Sequence, residues 1–488
     1  MNLRRVNFKV FGLATFIFIV SASLMLQRFT DPWTRIDDAN SLIYSFYAKN
    51  LLRYPASIHK LLNIDAVSQP AQAQISGEPF SYYLDHSPML TYLVAGSYWL
   101  LGISEWTARL VPLLSSLGSL ITLFFFVWRW IKSFWISLTS LIVMAFAPLF
   151  VEQAQIVNFE PPTLFFSLLA SYLLIEGYWQ KRRFFKFGGY LTWFLAMLID
   201  WPATFIALPL FLLIFFKKRN WELGLPILLP LLANGFIFWL NSRVAPHLFS
   251  ALLSAVFFKP NSYSLLSAYP SLLPTFFQTQ LNFLISNYTI FPLIGAFLWL
   301  VLKWRNRRLS AIEVLALFFL AVDGLNVILF PSWSSTHRYW TYYLLPFLAV
   351  TTGLTIDFLR KKLGGMVVVA LGIISLFLFL RTSISIAQER IWALETTPEQ
   401  IAKMELLDQT LAPDAVLYTT KNIYLLGPGR RVRYYVDRPI RIVSQEDLSA
   451  DTFPMIMDRN DSVLLDEKLS INSFPFDYQL VYLEKQNN

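Results

Sequence analysis

Long apolar runs, separated by short basic turns, recur along almost the whole chain. A helix needs roughly 20 apolar residues to cross the hydrocarbon core of a bilayer, and about eleven segments meet or approach that length. Charged residues are only 15% of the 488 residues, against roughly 25% in soluble domains. We therefore expect an all-α polytopic membrane domain. The predicted spans are 9–27, 107–128, 135–151, 162–179, 188–200, 203–216, 222–240, 281–302, 311–330, 339–357 and 364–381.

Basic residues predict how the spans are oriented. With eleven spans, the basic N-terminus and all the basic turns fall on the same side of the membrane. The positive-inside rule assigns this side to the cytoplasm. The N-terminal segment Met1–Leu26 has the charge pattern of a signal peptide, but it lacks a convincing cleavage site and is long enough to span. We interpret it as the first transmembrane helix. The fifth and sixth spans form a hairpin broken at Asp200-Trp201-Pro202, because proline removes a backbone donor.

Two longer polar segments fall on the opposite, outer face. The first outer loop, 28–106, contains the apolar piece Pro88–Leu101, which is short for a span and predicts an interfacial helix. The tail, 382–488, predicts a small extracytoplasmic α/β domain that follows a transmembrane domain over 1–381. Within it, a helix is expected in 386–411. Short strands are expected at 416–420, 432–436, 440–443, 463–465 and 479–483.

Composition excludes several kinds of chemistry. The chain has no cysteine and only four histidines, so disulfides, thiolate nucleophiles and cysteine-ligated metals are excluded. No short cytoplasmic loop carries a glycine-rich phosphate cradle. The net charge of +9 follows from the basic turns, so we expect no nucleic-acid partner. Catalytic residues, if there are any, should lie on the outer face.

Three carboxylates on the outer face are candidates for catalysis. Asp37 and Asp38 follow the first span, and close like charges raise one another's pKa, which suits a general base. The alternative is a helix cap. Glu160 begins a membrane helix, where a carboxylate is costly unless it has a partner or a function. Its alternative is a solvated acid in the first helical turn, ahead of proline.

Four cationic or titratable residues suggest an anion site near the outer leaflet: His86, Arg109, His337 and Arg338. The planar fork of arginine suits a phosphate. The alternative for each residue is interfacial anchoring by a side chain that reaches toward water. The basic stretch Arg430-Arg431-Val432-Arg433 is interpreted as a solvated strand edge.

The order of these motifs resembles a known family. The motifs are an outer Asp-Asp, His86-Ser87-Pro88 before an amphipathic helix, an outer acid that opens the fourth span, and His337-Arg338-Tyr339. Their order resembles the order of motifs in the GT-C class membrane glycosyltransferases. Within that class the resemblance is to the protein O-mannosyltransferases and the lipid A aminoarabinose transferase. It covers roughly residues 1–380. These enzymes move a sugar from a polyprenyl-phosphate carrier to an acceptor outside the cytoplasm.

The resemblance implies roles for individual residues. Asp37 takes the place of the catalytic aspartate and acts as general base, with inversion at the anomeric carbon. Asp38 and Glu160 stand at further acidic positions, where they would orient the acceptor or hold a divalent cation. His86 matches a Lys or His of the family, although the motif reads His-Ser-Pro here. Asp200-Trp201-Pro202 falls where many relatives carry Lys-Gly, which leaves the donor open.

Two other functions stay open at this point. A membrane transporter or lipid-linked sugar flippase would use the intramembrane acids Asp200 and Asp323. It predicts paired halves with interrupted helices at matching positions, whereas the sequence has one interrupted hairpin. A non-catalytic assembly protein would present the tail and would tolerate Asp37→Ala. The sugar, the acceptor (lipid, glycan or protein) and the oligomeric state do not follow from the sequence.

Overall fold

The structure is a computed structural model that divides into two compact units. The helical unit comprises Met1–Phe29 and Leu110–Ile391, and the loop–tail unit comprises Thr30–Arg109 and Trp392–Asn488. The structure describes residues 3–65, 81–84, 86–216, 222–245, 269–305, 309–362, 365–410, 417–419, 431, 434–436, 440–442, 454–458, 470–473 and 478–482.

The helical unit consists of helices and short 3-10 segments in the part of the chain that is described. Its α-helices are Leu3–Met25, Phe134–Phe146, Pro148–Gln153, Glu160–Trp179, Arg183–Ile199, Ala207–Phe216, Leu225–Ser242, Tyr269–Tyr288, Ile290–Arg305, Ala311–Leu329, Pro331–Thr336, Leu345–Lys362 and Gly365–Trp392. The 3-10 segments are Trp201–Ile206 and Arg338–Leu344. The helix Glu105–Ile131 begins at the end of the first outer loop.

Several of these helices are long and apolar enough to cross a membrane. Among the described residues there are five, or up to six if a bent pair counts as one span. The five are Glu105–Ile131, Leu225–Ser242, Ala311–Leu329, Arg338–Lys362 and Gly372–Trp392. The helices agree in place with most of the predicted spans, whereas the total of eleven stays a prediction.

Two predicted spans are interrupted. Span 281–302 is broken at Thr289, whose φ is +65°, and the helices on either side are bent by 111°. Span 135–151 is divided before Pro148, and Ala147 has the extended ψ of 129° that a following proline favours. The break predicted at Asp200 is confirmed. The Asp200 side chain accepts the backbone N–H of Trp201 at 2.9 Å, and a 3-10 segment follows.

Small residues let the helices of this unit approach closely. An added Cβ on Gly353 would lie 2.9 Å from the Ile136 carbonyl oxygen. Threonine hydroxyls in Leu345–Lys362 donate to the facing helix, from Thr355 to the Gly295 carbonyl at 2.8 Å. Close backbone approach at small residues, together with hydrogen bonds between helices, is typical of packing in a membrane.

The loop–tail unit mixes helices with two small sheets. Its helices are the 3-10 segment Ile36–Asp38 and the α-helices Ala39–Arg53, Ala56–His59, Met89–Leu101 and Pro398–Thr410. The helix predicted over Pro88–Leu101 is therefore present, and it packs against Ala39–Arg53. The strands β1, Asn63–Asp65, and β2, Ser81–Tyr83, pair antiparallel with Ile64 opposite Tyr82.

The tail carries a mixed five-stranded sheet. Its strands are β3 Leu417–Thr419, β4 Ile440–Ile442, β5 Pro454–Asp458, β6 Ser470–Ser473 and β7 Tyr478–Tyr482. Their order in the sheet is β4-β3-β5-β7-β6. β3 is parallel to β4 and β5, whereas β7 is antiparallel to β5 and β6. The domain boundary predicted at 381/382 stays a prediction.

The strand predicted over 432–436 is wrong, because Tyr434 and Tyr435 are helical. Aromatic residues favour strands locally, but tertiary contacts decide here, since both side chains are buried. Strands β5 and β6 were not predicted. The strand predicted at 463–465 lies outside the described residues.

Candidate functional site

The adjacent acids Asp37 and Asp38 lie in the 3-10 segment Ile36–Asp38 of the loop–tail unit, and they differ in environment. Asp38 is 0% exposed. Its Oδ1 lies 3.0 Å from Nη2 of Arg35, and its Oδ2 accepts the Arg35 backbone N–H at 3.0 Å. Asp37 is only half-buried. One carboxylate is thus fixed inside the unit, whereas the other reaches its surface.

Arg109 is a second cation beside Asp38. It is 1% exposed, and its Nη2 lies 3.8 Å from Asp38 Oδ2. Its guanidinium stacks on Trp33, 4.2 Å from the ring centroid, and donates to the Asp31 carbonyl oxygen. The structure therefore places Arg109 next to Asp38, and Arg109 also contacts the loop that precedes Asp37.

The tail supplies a third cation to this loop. Arg431 is 1% exposed and helical, so its interpretation as part of a solvated strand edge is wrong. Its Nε donates to the Trp33 carbonyl at 2.9 Å and its Nη2 to the Arg35 carbonyl at 3.0 Å. Its Nη1 forms an ion pair with Glu395 at 2.8 Å.

Two tail tyrosines complete the surroundings of Trp33. The Tyr435 hydroxyl accepts the Trp33 backbone N–H at 2.8 Å and donates to Glu105 at 2.8 Å. The Tyr434 ring packs edge-on against Trp33. Lys49 Nζ lies over the same Tyr434 ring, 3.7 Å from its centroid. Burial raises the pKa of Tyr435 well above its usual value, and the charge of Glu105 raises it further. Both phenols are therefore neutral at physiological pH.

His86 lies in an aromatic group of the same unit. Its ring stacks on Tyr83 with 6.2 Å between centroids, and Tyr83 in turn packs against Tyr47 and Tyr44. His86 is half-buried.

The helical unit holds a separate group around Glu152, which is 2% exposed. Arg338 Nη2 lies 2.8 Å from its Oε1, and Arg390 Nη1 lies 2.9 Å from its Oε2. Arg390 also donates to the Ser286 carbonyl at 2.9 Å. Two guanidinium groups on one carboxylate carry a net charge of +1. The two arginines can therefore stay paired with Glu152 and still attract an anion.

Glu160 is buried at the first turn of the helix Glu160–Trp179. Its Oε2 has no hydrogen-bond partner among the described residues, and the buried Asp200 carboxylate interacts with it electrostatically. A buried acid in a membrane helix is by default a candidate functional residue. The alternative of a solvated first-turn acid is wrong, because Glu160 is 6% exposed.

His337 precedes the 3-10 segment Arg338–Leu344. Its Nδ1 lies 2.7 Å from the Thr336 hydroxyl, and its ring packs between Trp333 and Tyr339. Burial lowers the pKa of His337 below its usual value. The imidazole is therefore mostly neutral near pH 7.

No group of three or more His, Asp or Glu side chains that could hold a metal ion occurs within the residues that the structure describes. Sequence reasoning missed Glu152, Arg390, Arg431 and Tyr435. Glu152 follows Leu149-Phe150-Val151 at the end of a predicted span, so the cost of a carboxylate at membrane depth could have identified it. Nothing in the sequence indicates the other three, because their partners are distant along the chain.

Two comparisons with known proteins agree with this architecture. Residues 44–265 match the family model described as dolichyl-phosphate-mannose-protein mannosyltransferase. The crystal structure of ArnT from Cupriavidus metallidurans bound to undecaprenyl phosphate matches with a TM-score of 0.64 and 14% identity over 96% of this chain and 98% of that chain.

The apo state of the same ArnT matches with a TM-score of 0.63 and 13% identity over 96% and 98% of the two chains. No curated protein sequence matches the chain. At such low identity these structural matches establish the fold. The chain shares the fold of ArnT, and its predicted resemblance to the GT-C class membrane glycosyltransferases is confirmed.

Proposed function

We propose that this chain is an integral membrane glycosyltransferase that moves a sugar from a polyprenyl-phosphate donor to an acceptor outside the cytoplasm. The match to a mannosyltransferase family model and the fold shared with ArnT support this proposal. ArnT was crystallised with undecaprenyl phosphate, a carrier of the proposed class. A lipid-linked donor also suits a membrane-embedded enzyme, because the membrane itself delivers it.

The observation that carries the assignment of the base is the difference between Asp37 and Asp38. Asp38 is buried against Arg35 and Arg109, whereas Asp37 reaches the surface of the loop–tail unit. A general base must come within hydrogen-bond reach of the proton that it removes. Asp37 is therefore the proposed base, and Asp38 fixes the loop that carries it.

In the proposed reaction an acceptor hydroxyl attacks the anomeric carbon of the donor sugar. Asp37 takes the hydroxyl proton as the new glycosidic bond forms. The bond between the anomeric carbon and the phosphate oxygen breaks, and the polyprenyl phosphate leaves with that electron pair. Attack from the side opposite the leaving group inverts the anomeric centre. The phosphate is a good leaving group, so the reaction needs little help on that side.

The remaining predicted site residues enter the proposal with their sequence-based roles. Glu160 orients the acceptor, and Arg338, His337 and His86 contribute to phosphate binding. The ion pair of Arg338 with Glu152 holds its guanidinium in one orientation, which favours a defined anion contact. Arg109 supports the loop through Asp38 and Trp33, in addition to its predicted role in donor binding. The N-terminus is proposed to be cytoplasmic and the tail extracytoplasmic, in the cell membrane.

The test compares sugar transfer by the wild type, Asp37→Asn and Asp31→Asn. Membranes containing equal amounts of each protein receive labelled polyprenyl-phosphate sugars, with cell-envelope material as acceptor. Asp31 is a half-buried acid of the same loop, so Asp31→Asn is a matched change of charge. We expect transfer by the wild type and by Asp31→Asn, with about a 100-fold loss or more in Asp37→Asn. The labelled product identifies the acceptor.

Equal transfer by the wild type and Asp37→Asn would refute Asp37 as the base. The flippase alternative predicts that the donor crosses the bilayer of proteoliposomes without loss of its sugar. If the donor crosses the bilayer and no sugar is transferred, the glycosyltransferase proposal is refuted and the flippase alternative is supported.

A further inference from the structure

We propose that Arg431 and Tyr435 of the tail are positioning residues for Asp37. The inference rests on the proposed function, because it concerns the residues that hold the proposed base. It assigns to the tail a specific part in the reaction. All the contacts involved lie within the loop–tail unit.

Arg431 binds the backbone carbonyls of the two residues on either side of Thr34. Its guanidinium donates to the Trp33 carbonyl at 2.9 Å and to the Arg35 carbonyl at 3.0 Å. Glu395 fixes the same guanidinium from the other side at 2.8 Å. Because one planar group bridges two carbonyls, the backbone immediately before Ile36–Asp38 has one defined path. Lysine carries the charge but lacks the fork that makes this bridge.

Tyr435 binds the backbone amide of Trp33, just before these carbonyls. Its hydroxyl accepts the Trp33 N–H at 2.8 Å and donates to Glu105 at 2.8 Å. The hydroxyl thus uses both its acceptor and its donor capacity. Glu105 begins the helix Glu105–Ile131. Tyr435 therefore connects the loop to the start of that helix.

The beginning of the tail pairs with the loop through its backbone. The amides of Glu395 and Thr396 donate to the Thr34 carbonyl at 2.9 and 3.1 Å, and the Ile36 amide donates to Ala393 at 3.4 Å. The segments 33–36 and 393–396, together with Arg431 and Tyr435, therefore form one hydrogen-bonded group. Asp37 follows this group directly.

The position of Asp37 depends on the residues that hold its turn. A displacement of about 1 Å at a reacting group can reduce the rate about 100-fold. The Ile36–Asp38 segment is a single 3-10 turn, so its position depends on the residues on either side. Asp38 fixes the turn from within, and Arg431 and Tyr435 fix the backbone that leads into it. The tail is therefore required for the position of the base.

The first experiment measures the loop itself and does not depend on activity. The chain has no cysteine, and Ile36 is 56% exposed, so Ile36→Cys introduces a single thiol next to Asp37. A nitroxide spin label on this thiol, in the full-length protein in nanodiscs, reports the mobility of the turn. We expect greater mobility in Tyr435→Phe and in Arg431→Lys. The matched control is Tyr82→Phe, which removes the hydrogen bond to the Ile58 carbonyl elsewhere in the same unit and should leave the mobility unchanged.

The second experiment measures transfer by the same substitutions without the label. We expect Tyr435→Phe to lower kcat about 10-fold to 100-fold with KM for the donor within about twofold, and Tyr82→Phe to change neither. A merely structural role would lower the amount of active enzyme and would leave the rate per folded molecule unchanged. Unchanged label mobility in both variants, or a loss of kcat equal to that of Tyr82→Phe, would overturn the proposal.

The two readouts separate this inference from the proposed function. If the wild type transfers no sugar, the proposed function fails, and label mobility alone decides whether the tail holds the loop. If the wild type is active and label mobility is unchanged in both variants, the positioning role fails while the proposed function stands.

Discussion

Arg35 Nη2 lies 3.0 Å from Asp38 Oδ1, and the two side chains are only 4% and 0% exposed. Burial of two charges is costly unless their geometry and hydrogen bonds are good. Here the Asp38 carboxylate also accepts the Arg35 backbone N–H at 3.0 Å and has Arg109 nearby. The pair therefore fixes the turn, whereas the neighbouring Asp37 is only half-buried.

The first prediction concerns the stability of this turn. Asp38→Asn removes the carboxylate charge that pairs with the buried Arg35 guanidinium, and breaking a buried ion pair in this way costs about 3 to 5 kcal/mol. We expect a clear fall in the apparent melting temperature of the detergent-solubilised protein. Asp37→Asn, the same change at the half-buried neighbour, should leave the melting temperature within error. Equal melting temperatures for the two variants would contradict the structural role of Asp38.

The second prediction concerns Glu152. Glu152→Gln removes a carboxylate that pairs with both Arg338 and Arg390, so the repulsion between the two guanidinium groups is less well compensated. We expect a loss of about 3 kcal/mol in stability, seen as an earlier thermal transition. Glu389→Gln is the control, because Glu389 is an exposed acid next to Arg390. A melting temperature of Glu152→Gln that equals that of the control would show that the group contributes little.

Most of the helices could be predicted from the sequence, because each depends on a local apolar run and on local breakers. The break at Asp200 and the helix over Met89–Leu101 are examples. The bend at Thr289 was not predicted, although Pro292 lies in the first turn of the helix that follows it. Threonine with a positive φ is uncommon, so tertiary packing must impose this conformation.

The candidate site was predictable only in part. Adjacent acids after a span indicated Asp37 and Asp38, but the backbone that precedes them contacts Arg431 and Tyr435, about 400 residues further along the chain. Periodicity and spacing carry no information on such long-range contacts. For the same reason the helical state of Tyr434 and Tyr435 was missed.

The third prediction concerns the pH dependence of the loop–tail unit. His59 is buried, and its Nδ1 accepts the Leu61 backbone N–H at 3.0 Å. Burial lowers the pKa of His59 below its usual value. Because the unfolded state takes up the proton first, the stabilisation is fully present above the unfolded pKa of about 6.5 and falls as the pH decreases through the folded pKa.

Hydrogen exchange checks this prediction locally. We expect amides in 54–65 to exchange faster, relative to the intrinsic rate, at about pH 5.5 than at about pH 7.5. His59→Asn keeps an acceptor near the position of Nδ1 and does not titrate, so it should remove the difference. An unchanged pH dependence in His59→Asn would assign the effect to another group.

The last prediction concerns close helix packing in the helical unit. A Cβ on Gly353 would lie 2.7 Å from the Ser140 hydroxyl oxygen and 2.9 Å from the Ile136 carbonyl oxygen. The serine side chain can rotate away, but the helix backbone at Ile136 cannot move without displacing its neighbours. Gly353→Ala should therefore destabilise the protein by about 1 to 3 kcal/mol, as overpacking of a core usually does.

Gly324 provides the matched control for Gly353→Ala. It lies inside the helix Ala311–Leu329, and an added Cβ there meets nothing within 4 Å. Gly324→Ala should be neutral, or it should stabilise the protein by up to about 1 kcal/mol, because alanine favours the helix. The measurement is the melting temperature of the two variants in the same detergent. If Gly353→Ala melts at or above the temperature of Gly324→Ala, the two helices can separate without cost, and Gly353 is not needed for their close approach.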